Sequence, residues 1–99
     1  MLELRADYAA QLPGTVAAME DLWRRLVAAE IPLTQLETLV RLAHGVAGSG
    51  ATFDVPEASR VARQLELLLD AFRENGRLPE AAGQKGVADL LAELKQTAV

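Results

Sequence analysis

Leu36-Glu37-Thr38-Leu39-Val40-Arg41-Leu42-Ala43-His44-Gly45-Val46-Ala47-Gly48-Ser49-Gly50-Ala51 is the stretch on which the fold turns. At about 100° per residue on a helical wheel, Leu36, Leu39, Val40, Ala43, Val46, Ala47 and Gly50 fill one broad arc. His44, the single histidine of the chain, falls just outside that arc, among Glu37, Arg41, Gly48 and Ala51. A buried structural histidine belongs at the centre of such an arc; this one points to solvent from its edge. The position suits a nucleophile that another macromolecule must reach.

Signals on both sides bound this helix. Thr34 can cap its start and Glu37 completes a Thr-x-x-Glu capping box after Ile31-Pro32-Leu33, and the helix runs to about Ala51. The turn Thr52-Phe53-Asp54-Val55 leads to Pro56, a residue suited to a first helical turn. The helix that follows places Ala58, Val61, Ala62, Leu65, Leu68, Leu69 and Phe72 on one side and stops at Asn75-Gly76.

Upstream, Leu4, Tyr8, Leu12, Val16, Met19, Leu22, Trp23 and Leu26 recur at three- and four-residue spacing, which predicts a helix from about Glu3 to Ala29. Pro13-Gly14 predicts either a kink there or a short leading helix followed by a new start. Tyr8 and Trp23 read as core or core-edge residues. Downstream, a polar and partly disordered loop with Pro79 and Gly83 is expected, then a last helix from Lys85 or Gly86 to Thr97 carrying Val87, Leu90, Leu91 and Leu94. Four amphipathic helices with no convincing strand pack as an all-α, antiparallel up-down-up-down four-helix bundle, its N-terminal helix kinked or broken at Pro13.

The 99 residues read as one domain, 1–99, able to bury somewhat over about 60% of the unfolded surface. The net charge is −4 and the ten basic residues are scattered, which argues against nucleic-acid binding. The absence of cysteine excludes disulfides and thiolate chemistry. Glu3, Arg5 and Asp7 do not make a signal-peptide core, and no apolar run approaches the ~20 residues of a membrane span. A cytoplasmic monomer is the expectation, since no apolar surplus beyond one core is evident.

Enzyme chemistry is not expected. One histidine, no cysteine and scattered carboxylates offer neither a nucleophile–base pair nor a metal cluster, so no metal and no cofactor are anticipated. Gly83-Gln84-Lys85-Gly86 is too short to cradle a nucleotide phosphate. The glycines near the histidine are harder to dismiss. Gly45, Gly48 and Gly50 each cost roughly 0.5–1 kcal/mol relative to alanine in a helix, a large sum for one domain. Gly48, one turn from His44 on the same face, would open room for an incoming group. Gly50 faces inward, where close helix packing is its expected role.

Ala43-His44-x-Val46-x-Gly48-Ser49-x-Ala51-x-Phe53, followed by the Pro56-initiated helix with Arg63-Gln64-Leu65-Glu66, resembles the histidine-containing phosphotransfer (HPt) domains of multistep phosphorelays. The resemblance is specific over about Leu39 to Glu66 and extends as a helical pattern over nearly the whole chain. It implies that His44 is phosphorylated from a receiver-domain aspartate and passes the phosphoryl group to another receiver. Response-regulator receivers, a hybrid sensor histidine kinase, or both would be the partners. The implied docking surface is Val40, His44, Ala47, Gly48 and Ala51, rimmed by Glu37 and Arg41. The family's usual lysine three residues after the histidine is replaced here by Ala47. Arg41, one turn before His44, is the expected cationic substitute, with Arg60 and Arg63 as more remote candidates. The alternative reading is an interaction module of the same fold that docks receivers or kinases without carrying phosphate.

Overall fold

Pro13 lies inside a continuous helix. In the computed structural model, which describes residues 2–98 and the side chains of residues 7–98, helix α1 spans Leu2–Val27. Leu4 lies outside the described side chains. Of the two expectations at Pro13-Gly14, the short leading helix with a new start is corrected: proline removes one backbone donor, but Leu12 and Val16 on either side of it are buried, and that packing carries the helix through. At about 1.5 Å rise per residue, 26 residues extend about 39 Å. This accounts for the long axis of a molecule measuring 41 × 21 × 21 Å.

A 3₁₀ turn, Leu33–Gln35, precedes helix α2, Leu36–Thr52. The expected capping box is not formed, because no side chain caps either the turn or α2. A capping residue needs extended backbone, and the extended residue here is Pro32 (φ −63°, ψ 148°), which has no hydroxyl. Thr34 is already inside the turn, and Glu37 instead faces Arg41 at 3.9 Å.

Helix α3, Pro56–Asn75, has proline in its first turn and ends at Gly76 in the left-handed conformation (φ 71°), as anticipated. Helix α4, Ala81–Thr97, begins four residues before Lys85. Gly83 is therefore helical, not loop, and Gly86 lies in the second turn of the helix. Gly83 permits a close approach, since a Cβ there would lie 2.5 Å from the Cβ of Pro79. The Gln84 side chain and backbone N–H close this end by donating to the carbonyls of Pro79 and Glu80, at 3.0 and 2.9 Å.

Each helix packs on its sequence neighbours and α4 returns to α1, while among the described residues the backbones of the diagonal pairs stay apart. Cross-helix pairs fix the directions. His44 faces Glu66 while Ala47 faces Ser59, so α2 and α3 are antiparallel; Tyr8 meets Val46 and Phe53, so α1 opposes α2. Arg60 reaches Glu93, so α4 opposes α3. The core is one cluster drawn from all four helices, centred on Met19, Leu39, Leu65, Leu69 and Leu94, with no polar residue buried in it. No helix of the described residues is long and apolar enough to cross a membrane.

Candidate functional site

The seam between α2 and α3 is built from small residues. Ala43, Ala47 and Gly50 of α2 are buried, as are Ala58 and Ala62 of α3. Small side chains let two helices approach closely, and at Gly50 the approach is extreme: a Cβ would lie 2.9 Å from the backbone nitrogen of Ser59 and 3.0 Å from its Cβ. This is the packing role expected of Gly50. The Ser59 hydroxyl donates to the carbonyl of Ala47 at 2.6 Å, which pins the register. That register brings Glu66, seven residues along α3, opposite His44.

The His44 side chain is 74% exposed, yet its ring is held. Nδ1–H donates to Oε2 of Glu66 at 2.6 Å, a short charge-assisted bond, and Glu66 is itself only 21% exposed. An acceptor at Nδ1 fixes the tautomer and orientation of an imidazole and leaves the other nitrogen with its lone pair. No described residue bonds to Nε2. Such an arrangement is chemically able to offer the Nε2 lone pair to an incoming electrophile.

Glu66, the partner of the His44 ring, stands in the sequence motif Arg63-Gln64-Leu65-Glu66 with no role that the sequence alone assigns. It occupies the α2-facing flank of α3, but nothing local says which residue of α2 it meets. Its partner follows only once the Gly50–Ser59 contact sets the helix offset.

The other candidates divide. Gly48 is exposed and nothing lies within 4 Å of where its Cβ would be, so the face one turn beyond His44 is open. Glu37 and Ala51 are exposed on the same side. Val40 is half-buried against the core, and Ala47 is buried at 7% exposure, so Ala47 lies beneath the expected docking surface and not on it. Arg41 is exposed beside Glu37, on the edge of this face nearer α1. It lines a groove of about 350 Å³ between α1 and α2, with Tyr8, Gln11, Thr15, Gly45 and Phe53. In that groove Tyr8 stacks on Phe53 with ring centroids 5.1 Å apart. Burial pushes the Tyr8 phenol above its ordinary pKa, so it remains a protonated donor toward the Val46 carbonyl. Arg60 is engaged by Glu57 and Glu93, whose hydrogen bonds raise its pKa. Arg63 is exposed on the α2 side of α3. Among the described residues no three metal-ligating side chains converge.

A family model described as Hpt domain matches residues 3–97. No curated protein and no solved structure matches the chain.

Proposed function

The chain belongs to the Hpt domain family, and on that footing we propose that His44 accepts a phosphoryl group from the phospho-aspartate of a response-regulator receiver domain and passes it to another receiver. Hpt domains serve histidine phosphotransfer in phosphorelays generally and interact with receivers and histidine kinases. The observation that carries the finer reading is the His44–Glu66 pair: Nδ1 is occupied and Nε2 is free on an exposed side chain.

In the transfer, the Nε2 lone pair attacks phosphorus and an N–P bond forms. The bond from phosphorus to the aspartate oxygen breaks, and its electron pair leaves with the aspartate carboxylate. The imidazole keeps its proton on Nδ1 and takes up the positive charge, which the Glu66 carboxylate 2.6 Å away offsets. Phosphoryl transfer of this kind needs positioning and charge stabilisation more than covalent help from the protein. Gly48 leaves the approach side clear. The chain is thus a carrier, working as a monomer that docks its partners transiently around Glu37, Val40, Gly48 and Ala51.

The test is label transfer from a panel of ³²P-phosphorylated receiver domains to the native chain and to His44→Gln. Acid-labile, base-stable label on the native chain and none on the variant is the expected result. Label retained by His44→Gln would overturn the assignment. Binding to a receiver without any label would replace the carrier with the docking-only module.

A further inference from the structure

A phosphoryl group on His44 brings up to about two negative charges, and the Glu66 carboxylate adjoining the ring adds another. Position 47 supplies no cation to balance them. Arg41 is about 60° around α2 from His44, on the flank turned toward α1, where it lines the α1–α2 groove and lies 3.9 Å from Glu37. Arg60 is committed to Glu57 and, across to α4, to Glu93.

Arg63 is placed differently. It stands four residues after Ser59 and three before Glu66, the two α3 residues that bridge to α2, through Ala47 and His44 respectively. Helical geometry sets it about 60° from Glu66 toward solvent, on the α2 flank of α3. Antiparallel register then makes it level with the turn His44–Gly48. It is exposed and makes no ion pair with any described residue. The His44 side chain at that level is 74% exposed, and no described residue bonds to its Nε2.

Resting on the phosphocarrier reading of His44, we propose that Arg63 is the cation that meets the phosphoryl oxygens on Nε2, reaching across from α3. Its guanidinium donates N–H groups in a fork that matches phosphate oxygens. The charge missing from position 47 is supplied from the neighbouring helix.

The experiment phosphorylates the native chain, Arg63→Ala, Arg63→Lys and Arg41→Ala with phosphoramidate, and follows the phosphohistidine by ³¹P NMR across pH. A nearby cation favours the dianion, so Arg63→Ala moves the phosphate titration to higher pH and slows loading about tenfold, the loss typical of one charged hydrogen bond. Arg63→Lys recovers part of both. A structural role alone would not move the titration. Native chain loaded at His44, with Arg63→Ala titrating and loading like it, overturns the Arg63 assignment and leaves the carrier reading standing. The effects appearing in Arg41→Ala instead also overturn it. Failure of the native chain to load at His44 from phosphoramidate or from any receiver would overturn the carrier reading itself.

Discussion

Gly50→Ala and Gly48→Ala, two residues apart on one helix, should change stability in opposite directions. Both substitutions gain about 1 kcal/mol of helix propensity. At Gly48 nothing opposes that gain, since the added methyl meets nothing within 4 Å. At Gly50 the methyl meets the backbone nitrogen, Cβ and Cα of Ser59 at 2.9, 3.0 and 3.1 Å. Backbone in the first turn of α3 cannot rotate aside, and overpacking of this kind costs typically 1–3 kcal/mol. Parting the helices also stretches the 2.6 Å bond from Ser59 to Ala47, worth about 1 kcal/mol. The net expectation is a loss of about 2 kcal/mol for Gly50→Ala and a gain of about 0.5–1 kcal/mol for Gly48→Ala. For a domain of this size that corresponds to a midpoint lowered by roughly 10 °C and raised by a few degrees, respectively. Thermal unfolding followed by circular dichroism reads both. A Gly50→Ala chain as stable as the native one would refute the close-packing argument, and a destabilised Gly48→Ala would refute the open-face argument. The functional consequences run separately. Gly48→Ala should be the more stable protein and the slower phosphoryl acceptor, because its methyl occupies the approach to Nε2.

Other perturbations separate the supporting parts. Glu66→Ala should slow loading of His44 by about 10- to 100-fold, the range for removing a residue that orients a reactive imidazole, and Glu66→Gln should lose less because its amide oxygen still accepts from Nδ1. Equal loading rates in all three proteins would remove Glu66 from the mechanism. Ala29 sits in the left-handed region (φ 57°) at the end of α1, a conformation costing a non-glycine residue about 1–2 kcal/mol. Ala29→Gly should therefore raise stability by up to about 1 kcal/mol after the entropy of the unfolded glycine is counted, and denaturant unfolding would show it; a loss would contradict the strain. Pro13→Ala should stabilise by about 1–2 kcal/mol, restoring a backbone donor inside a helix that already runs through this position. A fall in helix content or midpoint would contradict that.

The bundle was readable because its information is local. The three- and four-residue spacing of Leu12, Val16, Met19, Trp23 and Leu26 marks the buried face of α1, and all five are buried. The same holds for Leu36, Leu39, Ala43, Val46 and Gly50 in α2, and His44 is exposed for the reason its wheel position gives. Element starts were less legible. Thr34 has the chemistry of a cap, but Pro32 takes the extended backbone the cap requires. Gly83 reads as a loop residue because glycine has low helix propensity, whereas the Pro79 contact gives it a packing reason to be helical. The support of His44 by Glu66 was not legible, because the offset between α2 and α3 is set by a contact between Gly50 and Ser59 that no single-helix pattern encodes. For the same reason the sequence ranks Arg41, on His44's own helix, ahead of Arg63. Spacing along one helix ranks neighbours by sequence, while the flank that faces α3 is a tertiary fact.

The central claim is that His44 presents Nε2 while Glu66 holds Nδ1, and long-range ¹H–¹⁵N correlation of the imidazole tests it most directly, before and after loading from a phosphorylated receiver. The account predicts a proton on Nδ1 and a lone pair on Nε2 in the unloaded neutral ring, then phosphorus coupled to Nε2 with Nδ1 still protonated. A ring protonated on Nε2 with Nδ1 bare, or a phosphoryl group found on Nδ1, would contradict it.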